Sequence, residues 1–179
     1  TFDSAVFANT VEVESVNGVS SRARFNNNLD AGDVNVKQNA TARISSTIDV
    51  TNDIMLKDGA TLDAEGQVDT GGGNNNLTVD NNATATLRFG DGLSDTETAL
   101  DLTGASAGEG SLTINSGGQL DVKLDGASNL TAGNTVTVID EKTSGVDFTS
   151  MSNVNLVDGV LTLDNASGSP DTLVVDIGV

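Results

Sequence analysis

Short runs that alternate aliphatic and polar residues recur along this chain, and each is followed by a polar turn and a second alternating run. A period of two residues places the aliphatic side chains on one face of a β-strand. The pattern therefore predicts pairs of short strands joined by tight turns. Four copies of this unit have aliphatic or small residues at Val34, Val36, Ala40, Ala42 and Ile44; at Ile54, Leu56, Ala60 and Leu62; at Leu77, Val79, Ala83, Ala85 and Leu87; and at Leu112, Ile114, Gly118, Leu120, Val122 and Leu124.

The units follow one another at a nearly constant spacing. Their polar turns occupy residues 37–39, 57–59, 80–82 and 115–117. The equivalent positions Val36, Leu56 and Val79 are 20 and 23 residues apart, and the same spacing leads next to Leu102. Such repeats are typical of solenoids, in which a unit buries its apolar face only against its neighbours. We therefore predict an all-β fold, a single-domain parallel β-solenoid (β-helix) with atypical terminal strands. An antiparallel β-sandwich is the alternative.

The whole chain is expected to form one elongated domain with three segments. Residues 1–24 lie outside the regular repeat, and Asn17-Gly18 within them predicts a tight turn between two strands. This segment is either a cap over the first unit or a contact with another subunit, because an open solenoid end exposes core and unpaired backbone. Residues 25–126 hold the regular repeats, and residues 127–179 hold looser strands.

Composition narrows the kind of core that this chain can build. Only 36% of the 179 residues are hydrophobic, and the aromatic residues are five Phe without Trp or Tyr. The core must therefore consist mainly of Val, Leu, Ile and Ala. No segment has apolar residues at the helical spacing, so we expect almost no helix.

The formal charge of −18 excludes several classes of partner. The eight Lys and Arg residues are scattered along the sequence, so we expect no binding to nucleic acid. An anionic membrane surface would repel the chain, and no apolar run is long enough for a membrane-spanning helix. The acidic residues either form a solvated surface or bind divalent cations.

Two residue types that carry much enzyme chemistry are missing, because the chain has neither Cys nor His. A Ser-His or Cys-His nucleophile and a soft metal site are thereby excluded. A glycosidase would need two acids facing one cleft, and sugar clefts usually offer aromatic platforms that this chain lacks. We therefore expect that the protein is not an enzyme.

Two segments, residues 110–126 and 130–148, resemble the passenger regions of bacterial autotransporters and related β-strand-repeat surface proteins. The resemblance implies a right-handed parallel β-helix that is displayed outside the cell and serves adhesion, aggregation or surface structure. The chain begins at Thr1 without a signal-like segment, so we expect a mature extracellular or cell-surface protein after removal of a targeting segment. The matching residues are Leu112, Gly117, Gly118, Leu120, Leu130, Ala132, Gly133, Val136, Val138, Ile139, Gly145 and Phe148.

One string offers oxygen ligands for a cation. Residues 90–97 resemble the final part of a calcium-binding loop, because the acids Asp91, Asp95 and Glu97 lie around a glycine turn. The spacing does not fit an EF-hand, and a polar corner is the alternative interpretation. If a cation binds, Ca²⁺ at these three residues is the expected site, and we expect no other cofactor.

A second acidic set would meet only if the repeats stack. Its members are Asp30, Asp33, Asp63, Glu65 and Asp69. Stacked carboxylates repel unless a cation or a hydrogen bond lies between them. The alternative is that turns stagger these acids along the surface.

We hypothesise an extracellular structural protein that self-assembles into a filament or surface layer through its β-strand ends. Its partner would be a second copy of itself, because apolar strands lie at both termini and can add to an open sheet. In the alternative arrangement, each end is capped by residues of its own chain. The alternative function is an adhesin or binding module of an autotransporter-like surface protein, with cell-surface glycans as its ligands. The expected assembly residues are Phe2, Val6, Phe7, Leu173, Val174, Val175 and Ile177.

Overall fold

The computed structural model describes residues 1–69, 76–90, 98–101, 111–125, 131, 133–140, 153–157, 161–163 and 172–177. Within these ranges the fold is all-β, no helix is present, and most strands run parallel in two curled sheets. The expected strand-rich, helix-free fold is therefore confirmed for this part of the chain. The strands are β1 (Val6–Val13), β2 (Arg22–Phe25), β3 (Leu29–Val36), β4 (Thr41–Ile44), β5 (Ile48–Val50), β6 (Ile54–Leu56), β7 (Thr61–Ala64), β8 (Val68–Asp69), β9 (Asn76–Val79), β10 (Thr84–Gly90), β11 (Leu100–Asp101), β12 (Ser111–Ile114), β13 (Gln119–Asp125), β14 (Thr135–Asp140), β15 (Val154–Leu156), β16 (Leu161–Leu163) and β17 (Thr172–Ile177).

The two sheets have simple strand orders. The first sheet has eleven strands in the order β12-β9-β6-β3-β5-β8-β11-β14-β17-β16, with β1 also paired to β3. The second has six strands in the order β15-β13-β10-β7-β4-β2. Among the named strands only the pairs β14–β17 and β16–β17 are antiparallel. This pairing differs from that of an antiparallel sandwich.

The first sheet divides into two columns of stacked strands because β3 is long enough to serve both. Its residues 29–31 pair with β5, and its residues 34–36 pair with β6. Column A is the first part of β3 with β5, β8, β11 and β14. Column B is the second part of β3 with β6, β9 and β12, and column C is the second sheet. From β3 to β13 the chain passes through columns A, B and C in turn.

The register confirms the equivalence of the first predicted positions and corrects the last one. In column B, Val36 pairs with Leu56, and Leu56 pairs with Val79. The next partner of Val79 is Ile114. Leu102 lies outside the described residues, and Leu100 belongs to column A. The constant spacing failed here because the pass from Val79 to Ile114 covers 35 residues, compared with 20 and 23 in the two passes before it.

The core is aliphatic, as the composition required, with Phe25 as the only ring among the described buried residues. In column C each of three successive strands turns one alanine and one large side chain inward, and the order reverses from strand to strand. These inward pairs are Ala42 and Ile44, Leu62 and Ala64, and Ala85 and Leu87. Leu62 thus lies between Ala42 and Ala85, and Ala64 lies between Ile44 and Leu87, so each of these layers combines alanine with larger side chains.

The predicted polar turns between columns B and C share one conformation. Their third residues, Asn39, Gly59, Asn82 and Gly117, all have φ between 54° and 81°. Only Gly and Asn accept this left-handed backbone at low cost. The Asn82 side chain also donates a hydrogen bond to the Asp58 carboxylate of the turn below it, at 3.1 Å.

The N-terminal segment continues the stack instead of standing apart from it. Strand β1 pairs with the full length of β3, and β2 pairs with β4. The predicted tight turn is present, because Asn17 and Gly18 both have positive φ and Val19 N donates to Val16 O at 2.9 Å. The two strands on either side of it do not pair with each other, because each joins a different sheet.

The C-terminal strand is not left uncovered as expected. Strand β17 lies between β14 and β16 and pairs antiparallel with both. The expectation failed because the chain reverses direction at the end of column A, which places β16 at the edge of the sheet.

We predict that the inward pairs of column C compensate one another. Leu62→Ala should lower the free energy of unfolding by about 2–5 kcal/mol, and Ala64→Leu should lower it by about 1–3 kcal/mol. The double variant restores the layer volume, so it should cost at least about 1 kcal/mol less than the sum. Urea unfolding measures all three, and strictly additive losses would contradict the compensation.

We also predict that the turn conformation contributes to stability. Asn82→Ala should cost about 1–2 kcal/mol because alanine is strained at positive φ, whereas Asn82→Gly should cost less. Asn81→Ala in the same turn is the matched control, because Asn81 is exposed and has no positive φ. Thermal unfolding compares them, and equal losses for Asn82→Ala and Asn81→Ala would refute the prediction.

Candidate functional site

Five aspartates stack in register on the outward face of column A, one on each strand. Each follows a buried aliphatic residue, so the strand alternation turns the carboxylate outward. Neighbouring strands are about 4.8 Å apart, which is shorter than the Debye length of about 8 Å at physiological salt. The like charges therefore repel one another. We call this set the acidic ladder, and its members are Asp30, Asp49, Asp69, Asp101 and Asp140.

The pKa values of two members reflect this repulsion. Partial burial, followed by the charges of Asp69 and Asp30, raises the pKa of Asp49. Partial burial and the charge of Asp101 raise the pKa of Asp140 in the same way. A raised pKa means that the fold favours the protonated carboxyl. The ladder therefore opposes folding at neutral pH.

The predicted acidic set is only partly brought together. Asp30 and Asp69 share the ladder, with Asp49 between them. Asp63 and Glu65 instead lie beside arginines of column C. The missed members Asp49, Asp101 and Asp140 could not be assigned from sequence, because a single Asp beside a buried aliphatic residue does not show which column its strand joins.

Basic residues collect on the outward face of column C, although they are scattered in the sequence. Their scatter along the sequence therefore does not carry over to the folded surface. Parallel pairing places β2, β4, β10 and β13 in one sheet, and each carries outward Arg or Lys. All four arginines of the chain are in this group. We call it the basic face, and its members are Arg22, Arg24, Arg43, Arg88 and Lys123.

Two acids hold the central arginines in place. Arg88 forms a two-point contact with Asp63, in which Nη2 is 3.2 Å from Oδ2 and Nε donates to Oδ1. Arg43 donates to Glu65, and its Nε lies 3.9 Å from Asp63 Oδ2. Burial acts to raise the pKa of Glu65, but the adjacent Ser45 hydroxyl and the two guanidinium groups lower it below its ordinary value.

A polar groove of about 370 Å³ opens on the basic face. Arg22 lies at its end, is exposed, and makes no ion pair within the described part of the chain. Threonines of adjacent strands form the middle of the groove, in register with Arg22. We call it the arginine groove, and its lining residues are Arg22, Thr41, Arg43, Thr61, Asp63 and Arg88.

The first strands of the stack leave a cleft of about 420 Å³ at the N-terminal end, whose lining is mainly apolar but includes Glu12, Glu14 and Arg22. Of the predicted assembly residues, Phe2 and Val6 line this cleft, and Phe7 is 74% exposed beside it. Phe2 stacks on Phe25 with ring centroids 4.9 Å apart, which ties the first residues to β2. We call this opening the N-terminal cleft.

The remaining predicted site residues fall elsewhere. Leu173, Val174, Val175 and Ile177 belong to β17, and the structure does not bring that strand together with β1. The calcium candidates Asp91, Asp95 and Glu97 lie outside the described residues. In the described ranges no group of three or more His, Cys, Asp or Glu side chains is placed to hold a metal ion.

Comparison of the chain with known protein families, curated proteins and solved structures found no match. The described ranges contain no helix that is long and apolar enough to cross a membrane. The function must therefore be inferred from the surfaces described above.

We predict that removing one charge from the acidic ladder stabilises the protein. Because the pKa of Asp49 is raised by folding, its favourable contribution is present below the ordinary Asp pKa and is lost as the pH rises through the raised value. Asp49→Asn should therefore raise the free energy of unfolding at about pH 7 by about 0.2–1 kcal/mol. The gain should shrink at about pH 3 and in about 1 M NaCl.

Glu14→Gln is the control for this experiment, because it removes the same charge from an exposed residue outside the ladder. Urea unfolding of both variants at the two pH values separates local repulsion from total charge. Equal stabilisation by both substitutions would show that the ladder has no special role.

Proposed function

We propose that this protein is an extracellular structural β-solenoid that assembles end to end into filaments through its N-terminal cleft. The observation that carries the proposal is the concentration of exposed apolar residues and open strand edges at this one end of the stack. The resemblance to autotransporter passengers supports the location outside the cell.

The solenoid part of the proposal is supported by the repeated passage through three columns. Residues of successive passes pair one to one, and apolar side chains of each strand lie against those of the next. A stack of this kind has two ends, and each end must be covered by a cap or by another molecule.

The N-terminal end has the surface expected of a contact. Among the described residues, four of the five large hydrophobic side chains that are exposed lie within residues 1–19. They are Phe2, Phe7, Val16 and Val19. Apolar side chains gathered on one surface of a soluble protein mark an interaction site more often than scattered ones do.

The strand edges at this end support the same conclusion. Within the described part of the chain β1 pairs only with β3, so its second edge is open along eight residues there. Strand β2 pairs with β4, and a bridge from Phe2 to Phe25 covers one point of its other edge. An open edge can accept a strand from another molecule.

The contact surface at the C-terminal end differs from the terminal strand that the sequence predicted. Strand β17 has both edges paired within its own chain, so among the described strands β16 and β12 are the edge strands of the first sheet at the C-terminal end. A contact between the two different ends is heterologous, and it propagates into a filament when it does not close into a ring.

The charge sets the conditions for assembly. At −18 per subunit, neighbouring molecules repel one another at low ionic strength. Salt shortens the Debye length from about 30 Å at 0.01 M to about 8 Å at 0.15 M. Assembly should therefore require salt, and we propose that Ca²⁺ promotes it further.

We predict that wild-type protein is monomeric in about 0.01 M NaCl and forms filaments in about 0.15 M NaCl. Phe7→Lys should prevent filament formation, because it places a charge on the open edge while its exposed position spares the fold. Sedimentation velocity and negative-stain microscopy measure the assembly. Addition of Ca²⁺ or a chelator tests the proposed contribution of the cation.

Met55→Lys is the matched control, because it adds the same charge to an outward position in the middle of column B. This variant should assemble like the wild type. Wild-type protein that stays monodisperse in every condition, or Phe7→Lys protein that forms normal filaments, would refute end-to-end assembly.

A further inference from the structure

We propose that the arginine groove binds an acidic polysaccharide through its carboxylate or sulfate groups. This binding activity is distinct from filament formation, because most of the groove lies on the face of column C, whereas the N-terminal cleft lies at the end of the stack. Arg22 lines both openings.

The first support is the segregation of charge. The chain has 26 acidic and eight basic residues, yet five of the basic residues share the basic face. Among the outward column C residues whose side chains the structure describes, the acids are Asp63 and Asp121, and Glu65 directly after β7 pairs with Arg43. A locally positive surface on a strongly acidic protein is an electrostatic site for an anion.

The second support is preorganisation of the central guanidinium groups. Asp63 fixes Arg88 through two contacts, and Glu65 fixes Arg43. Arg43 Nε is buried and has no hydrogen-bond partner within the described residues. Groups that are already held in place lose little conformational entropy when a ligand binds.

The third support is an uncommitted cation at the mouth of the groove. Arg22 is exposed and forms none of the ion pairs that engage Arg43 and Arg88. A guanidinium group offers two parallel N–H donors that match a carboxylate or sulfate group. Arg22 is therefore the residue that we expect to contact the charge of the ligand.

The threonines indicate which anion fits. Thr41 and Thr61 stand in register on adjacent strands, next to Arg22, and the spacing of the strands is about 4.8 Å. A linear sugar chain repeats its hydroxyl and acidic groups at a similar interval. The groove volume of about 370 Å³ suits a short stretch of such a chain rather than the face of a second protein.

Isothermal titration with hexagalacturonate tests the proposal, and its methyl-esterified form is the uncharged comparison. Wild-type protein should bind hexagalacturonate with an affinity that falls as salt rises, and it should bind the ester at least tenfold more weakly. Arg22→Ala should weaken binding about tenfold, because it removes one charge-assisted contact.

Arg24→Ala is the matched control. Arg24 lies on the same strand and is also exposed, but it does not line the groove and donates instead to Asn26 at 2.7 Å. Its removal should change the affinity less than twofold. Equal losses of affinity in the two variants would show that only the overall charge matters, which would overturn the assignment to the groove. Binding of the ester as tightly as the acid would overturn the proposal as well.

Two further outcomes are decisive. Absence of hexagalacturonate binding by the wild-type protein would overturn the polysaccharide, whatever the effect of Arg22→Ala on self-association, because Arg22 also lines the N-terminal cleft. The Phe7→Lys variant should bind hexagalacturonate like the wild type. The titration with hexagalacturonate therefore remains a valid test even if the protein forms no filaments.

Discussion

Residue-for-residue parallel register between successive passes of the chain is the constraint on which the rest of this structure depends. Side chains alternate with a period of two, so a slip of one residue would turn a buried row such as Val34, Ile54 and Leu77 toward solvent. The left-handed turn residues and the alternation of alanine with larger side chains in column C both favour this one register. The core and the two charged surfaces follow from it together.

The same register has opposite electrostatic consequences on two faces. In column A it aligns like charges, and the raised pKa of Asp49 reflects the burial and repulsion that result. In column C it places Arg43 beside Asp63, and the lowered pKa of Glu65 reflects the Ser45 hydroxyl and the arginines beside it. Partial exposure and salt make the acidic ladder tolerable, because water and counterions screen charges at a surface.

The open strand edges are treated differently at the two ends of the stack: one column is covered at the C-terminal end, and edges stay exposed at the N-terminal end. At the C-terminal end, β17 and β16 add in antiparallel orientation to column A, and the chain covers that column with its own residues. At the N-terminal end, β1 and β2 leave a mainly apolar cleft that charged residues also line, and Phe7 is exposed beside it. This asymmetry is the physical basis for expecting contacts that join unlike ends.

The sequence by itself determined the strand alternation, the turn positions and the aliphatic core, because these depend on neighbours only a few residues apart. It also identified Phe2, Val6 and Phe7 as an apolar group, and the structure places them at one end. Only the tertiary structure decided that Leu100 belongs to column A, that β17 is covered, and that the acidic ladder and the arginine groove exist. These features depend on which strands become neighbours, and the unequal lengths of chain between columns hide that pairing from any constant spacing.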